Sequence, residues 1–199
     1  VATTVLLIRH AAHGVVDQLL CGRMPGIHLG EAGRRQAEAL AARLGGAGLR
    51  AIHASPLPRA WATALPIASR HGLRPMASEE LIEIDFGAWT GRSFAALGDD
   101  PHWRRWNAAR AAERPPGGET MQEAGQRAFA FLQRAAAEHP DGVIAAVSHG
   151  DVIKAVIARV LGVSVDTHAR FEISPASLSR IRLWPDGAKL LSMNELPDE

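Results

Sequence analysis

VLLIRHAAHG, residues 5–14, sets four apolar residues in a row and then ends on Arg9, His10 and His13. The apolar run reads as a strand buried on both faces. A core strand has no use for a cation and two imidazoles, each of which costs free energy to bury unpaired. In open α/β sheets, ligands bind beyond the carboxyl ends of the strands. The ending therefore marks either a site or a strand tip that reaches solvent, and the stretch alone does not choose between them.

On its C-terminal side, residues 10–30 are a loop rich in Gly and Pro. Glu31 to Leu44 places Ala37, Leu40, Ala41 and Leu44 at helical spacing, and Gly45 and Gly46 stop that helix. LRAIHAS (49–55) is a short strand, and Pro56 opens a helix over 57–70 that Pro66 should kink or shorten. A strand near 74–78 leads into EELIEIDFGAWTGRS (79–93), a loop. A helix over 94–111 carries Trp103 and Trp106 on one face, where they cover the core, and ERPPGG (113–118) turns the chain. Thr120 with Glu123 forms a capping box for a helix reaching His139. GVIAAVSHG (142–150) is a second buried strand, followed by a helix from Asp151 to Leu161. RFEISP (170–175), SLSRIRLW (177–184) and AKLLSMN (188–194) supply two or three further strands. Strands alternating with helices predict a three-layer α/β/α fold around a mostly parallel central sheet. The expected organisation is one domain over residues 1–199, with a short loop-helix insertion near 84–120.

Composition narrows the function classes. With 22 Lys+Arg against 21 Asp+Glu, the net charge is +1, too little basic excess for a nucleic-acid protein. Arg104, Arg105, Arg110 and Arg114 are offset by Asp99, Asp100 and Glu113, so no basic patch is expected there. A single cysteine excludes an intramolecular disulfide and fits a reducing compartment. No apolar run approaches the roughly 20 residues that cross a bilayer, and VATTVLLIRH is charged too soon for a secretory signal. A cytoplasmic protein without membrane partners is expected.

The chemistry gathers at strand ends. His10 and His149 each end a buried strand of one sheet, Arg59 lies in the first turn after another, and Glu83 follows the next. Arg9, Arg59, two histidines and Glu83 converging on one cleft would suit phosphoryl transfer through a histidine. Guanidiniums fork onto phosphate oxygens, one imidazole attacks phosphorus while the other stabilises charge, and a carboxylic acid protonates the departing oxygen. The residues alone do not say which imidazole attacks.

With these residues in place, the chain resembles the histidine phosphatase superfamily and its phosphoglycerate-mutase-like fold. RHA matches the family's Arg-His-Gly motif at Arg9 and His10. SPLPR, ending in Arg59, matches Ser-Pro-x-x-Arg. LIEIDFGAWTG carries the family acid at Glu83, and SHG the second His-Gly at His149. GRMPGIHLGEAG (22–33) and PPGGET (115–120) also resemble family landmarks, in family order. The resemblance implies that His10 is the nucleophile that becomes phosphohistidine. It implies that Arg9, Arg59 and His149 hold the phosphate and that Glu83 is the proton donor. His13 and Gly22 are further candidate substrate contacts. The implied activity is that of a histidine acid phosphatase-type phosphomonoesterase acting on a small-molecule phosphomonoester, with no cofactor and no metal.

Two departures stand out. Ala11 replaces the usual Gly, which a negative φ would tolerate, and the family's assisting Asn has no match in GVVDQLL (14–20). Other phosphatase chemistries lack their residues. Cys21 has Ile27, not Arg, six positions on; no Gly-Lys-Ser/Thr loop occurs; and no HExxH accompanies His10 and His13. Within the family, the short span from Glu83 to Gly117 favours a phosphatase over a cofactor-dependent phosphoglycerate mutase-type phosphotransferase. A non-catalytic phosphate-binding module would not be expected to keep His10, Glu83 and His149 together. The remaining histidines, His28, His53, His71, His102, His139 and His168, are expected to be surface or structural.

Overall fold

The computed structural model describes residues 1–197. The two apolar runs become β1 (Thr3–Arg9) and β4 (Val143–Ser148), paired in parallel. Around them lie β2 (Leu49–Ala54), β3 (Met76–Ala77), β5 (Leu178–Trp184) and β6 (Gly187–Glu195). Together they form one six-stranded sheet in the order β3-β2-β4-β1-β5-β6. The first four strands are parallel; β5 runs antiparallel to β1, and β6 antiparallel to β5.

The period-2 alternation of β1 divides the core between two faces. Leu6 and Ile8 pack with Leu40, Leu44, Ala64 and Ile67 from α1 (Glu31–Leu44) and α2 (Pro58–Arg70). Val5 and Leu7 face the opposite layer, with Leu132 and Val156 from α5 (Met121–Ala137) and α6 (Gly150–Leu161). Thr120 and Glu123 form the expected capping box at the start of α5. The sheet is thus sandwiched as three layers, and its carboxyl edge bears the ends of β1, β2 and β4 together.

Four local expectations are corrected. RFEISP is not a strand: Pro175 has no N–H to give a ladder, and the Ile173 carbonyl accepts from Arg9 Nη1 at 2.6 Å instead. The helix over 94–111 is two helices, α3 (Phe94–Gly98) and α4 (Pro101–Ala108). Between them Asp100 caps α4 by accepting from the His102 N–H, with Pro101 in the first turn. Pro66 does not end α2, which runs on to Arg70 with Thr63, Ala64, Ile67 and Ala68 buried on either side of it. The third strand is two residues long rather than five.

The insertion closes over an aromatic core in which Trp89 and Trp106, both fully buried, lie 5.9 Å apart and Phe86 meets Trp106 edge-on. It is stitched to the loop after β1, where Leu20 donates to the Arg92 carbonyl and Gly91 to the Leu20 carbonyl. That loop in turn rests on α1. A Cβ built on Gly33 would lie 1.9 Å from the Ala12 carbonyl oxygen, so helix and loop approach to a distance only glycine allows. Gly33→Ala should therefore destabilise the fold by about 1–3 kcal/mol, the usual range for overpacking. A urea midpoint lowered at unchanged slope would show it, and an unchanged midpoint would mean the loop yields freely.

Candidate active site

His10 extends β1 by one residue, and 3% of it is exposed. Its Nδ1 lies 2.8 Å from the Ala11 carbonyl, an acceptor only, so Nδ1 carries the proton and Nε2 keeps its lone pair. Arg59 Nε donates to that Nε2 at 3.3 Å, and Arg59 Nη2 lies 3.3 Å from His149 Nδ1. The two imidazole centroids are 5.1 Å apart, with the guanidinium beside both. His149 Nε2 contacts Ser55 Oγ at 2.8 Å, which sets the orientation of that ring. Burial, reinforced by Arg59 and other cationic neighbours, holds both imidazoles well below the ordinary histidine range, so both are neutral at pH 7.

Arg59 sits in the first turn of α2, fully buried, its Nη2 donating also to the Gly22 carbonyl at 2.7 Å. Gly150 opens α6 with no Cβ in the way of Arg9, since one built there would be 3.2 Å from Arg9 Nε. Arg9 Nε, Arg59 Nη1 and His13 Nδ1 are buried without a hydrogen-bond partner in the protein. Native interiors rarely leave polar groups unpaired, and a cluster of such atoms lining one cleft can receive an anion. The first turn of α6 (Gly150, Asp151) lines the same cleft, adding the positive end of a helix dipole.

Glu83 enters from the loop after β3. Its Oε1 accepts from the Ile84 N–H at 2.8 Å, and its Oε2 stands 3.9 Å from His149 Nδ1. Burial, aided by the charge of Asp151, pushes this carboxyl up to about 7, while the Ile84 amide, Arg59 and Arg9 oppose the rise. A carboxyl poised near neutrality can give a proton and take one back. The cleft encloses about 190 Å³ and is lined by Arg9, His10, His13, Gly22, Arg59 and Glu83.

His13 stands in that lining with its ring 5.5 Å from His10, and burial lowers its pKa to about 4, so it too is neutral. Ala11 lies outside the positive-φ region; its methyl is buried against the α1–α2 layer, and its N–H donates to Thr63 Oγ1 at 3.0 Å. Ser55 and Thr63 were not singled out in the sequence. Thr63 also donates to the Arg59 carbonyl, a contact its four-residue spacing from Arg59 could have suggested. His53 and His168 are buried away from the cleft, and His28 is on the surface. Arg110 is paired with Asp151 at 3.0 Å, not with the acids near it in sequence.

The model of the Histidine phosphatase superfamily (branch 1) matches residues 5–196. The chain belongs to the histidine phosphatase superfamily. Among curated members it is 32% identical to a bifunctional protein of Mycobacterium tuberculosis, over 94% of this chain and 52% of that one. It thus spans about half that relative's length. It is 30% identical to phosphoserine phosphatase 1 of Hydrogenobacter thermophilus, over 95% of this chain and 90% of that protein. Among solved structures, the mycobacterial glucosyl-3-phosphoglycerate phosphatase superposes with a TM-score of 0.87 at 27% identity, over 98% of this chain and 99% of that one. The superfamily fold is therefore present along nearly all of this chain, and phosphatases are among its relatives.

Proposed function

We propose that this protein hydrolyses small-molecule phosphomonoesters through a covalent phosphohistidine on His10, without a metal. The observation that carries the reading is the His10 Nε2 lone pair, left free by the Nδ1 contact with Ala11, beside the buried Arg59 guanidinium and in one cleft with Arg9 and a carboxyl near pKa 7. Arg9 and Arg59 supply the positive charge that a metal brings to other phosphatases, and His149 completes the pocket for the phosphoryl oxygens. His13 and Gly22 lie where a bound phosphomonoester would pass.

In the first step the Nε2 lone pair forms a bond to phosphorus as the ester P–O bond breaks. The leaving oxygen takes the Glu83 proton and departs as an alcohol. In the second, water attacks phosphorus, the P–N bond breaks, and the Glu83 carboxylate accepts the proton from water. Inorganic phosphate leaves and Glu83 is again protonated.

Hydrolysis is favoured over transfer to a second hydroxyl by the short cover between Glu83 and Gly117. Its α3 presents a partly exposed Phe94 to the cleft, leaving water a way in. With saturating phosphoglycerate and a bisphosphorylated primer, inorganic phosphate should be the main product. Rapid interconversion of 2- and 3-phosphoglycerate with little phosphate release would reverse the choice.

A further inference from the structure

Two guanidiniums converge on the main chain of Glu83 from outside the cleft. Arg23 Nε donates to the Glu83 carbonyl at 2.8 Å, and Arg127 Nη2 donates to it at 3.2 Å. Arg127 also holds the Glu80 carbonyl at 2.6 Å and the Ile82 carbonyl at 2.7 Å. Both guanidiniums end on one carboxylate, Glu119. Its Oε1 accepts from Arg23 Nη2 at 2.9 Å, from Arg127 Nη2 at 2.6 Å and from the Asp85 N–H at 3.2 Å. Its Oε2 accepts from Arg127 Nε at 3.2 Å. The backbones are equally close: a Cβ on Gly118 would sit 2.0 Å from the Asp85 carbonyl oxygen, and one on Gly87 2.1 Å from that of Pro116.

Glu119 lies in PPGGET, a stretch that the catalytic scheme leaves without a task, and it does not line the cleft. It joins three separate segments: the loop at Gly22–Arg23, the loop at Glu80–Asp85, and α5 through Arg127. Its side chain is 18% exposed, so its ion pairs are partly shielded from water and are worth more than surface pairs.

We propose that Glu119 is a positioning residue for the proton donor: by clamping Arg23 and Arg127 onto the Glu83 carbonyl, it holds the Glu83 carboxyl against the leaving group. The inference rests on the reading of Glu83 as the donor. Without the clamp, Glu83 keeps its proton but loses its place. The damage should fall on substrates whose leaving oxygen needs protonation.

The test uses Glu119→Ala, with the isosteric Glu119→Gln should the first fail to fold, on an alkyl phosphate and on p-nitrophenyl phosphate. The alkyl rate should fall by about 30- to 100-fold, toward the 10²–10⁴-fold that a general acid supplies. The nitrophenol burst should fall by less than about 3-fold, since that leaving group needs no proton. Placed on Glu83→Gln, the second substitution should cost the alkyl substrate less than about 2-fold more, because residues acting through one group are not additive. Equal losses on the two substrates, or full additivity in the double variant, would overturn the role of Glu119. Should Glu83→Gln alone show no dependence on the leaving group, the assignment of Glu83 fails, and this inference with it.

Discussion

His10→Ala should lower turnover by roughly 10⁴-fold or more, the scale of loss when a covalent nucleophile is removed. The protein should remain folded. The imidazole makes two hydrogen-bonding contacts, with the Ala11 carbonyl and Arg59 Nε, and lies at the rim of the sheet rather than within its apolar layers. Losing these costs about 1–3 kcal/mol, a modest fraction of a domain's stability. The far-UV spectrum should be preserved and the melting midpoint lowered by a few degrees. Enzyme mixed with labelled substrate and quenched in alkaline detergent, where the acid-labile P–N bond survives, should carry label in the wild type and none in the variant. Substantial residual turnover would exclude a covalent route through His10.

Glu83→Gln should separate substrates by their leaving groups. An alkoxide departs slowly unless protonated, so the alkyl phosphate rate should fall by about 10²–10⁴-fold. The nitrophenol burst should be nearly preserved. Slow turnover should follow it, because the same carboxylate activates the water that resolves the phosphohistidine. The pH profile carries the sign. The acid works when protonated and its pKa is about 7, set by burial and Asp151 against Ile84, Arg59 and Arg9. The wild-type alkyl rate should therefore decline as pH rises above 7, whereas His10, held well below its ordinary value by burial, Arg59 and Arg9, takes no part in that decline. The alkaline decline should vanish in Glu83→Gln. Equal losses on both substrates with no burst would mean that Glu83 shapes the pocket and the proton comes from elsewhere.

How much of this could be read from the chain follows from which groups announce themselves. Arg9, His10 and His149 break apolar runs, and a charged interruption at a strand end has few explanations. Arg59 was visible through its place one turn after Ser55-Pro56. Glu83 was harder, since it stands among Glu79, Glu80 and Asp85, and only the resemblance to known phosphatases separated it from its neighbours. Ser55 stayed hidden because a Ser just before a helix reads as an ordinary cap, and Thr63 because a Thr in mid-helix reads as part of the packed face. The break between α3 and α4 was legible in Asp99-Asp100-Pro101 but was outweighed by the helical spacing of Trp103 and Trp106. The loss of RFEISP as a strand was half legible, since Pro175 argues against a ladder there, but the hydrogen bond from Arg9 that takes the Ile173 carbonyl comes from more than 160 residues away.

The pairing of β1 with β4 has a consequence for how the protein is made. Thr4 lies opposite Val143 and Arg9 opposite Ser148, so the central strand waits for a partner about 140 residues downstream. At roughly 5–20 residues per second on the ribosome, that wait is roughly 7 to 28 s. Throughout it, an apolar segment with free edges on both sides is exposed to other nascent chains, the kind of segment that aggregates. Its other neighbour, β5, emerges later still. The strand that delivers the nucleophile is thus made before both of its partners and is satisfied only once they have followed it.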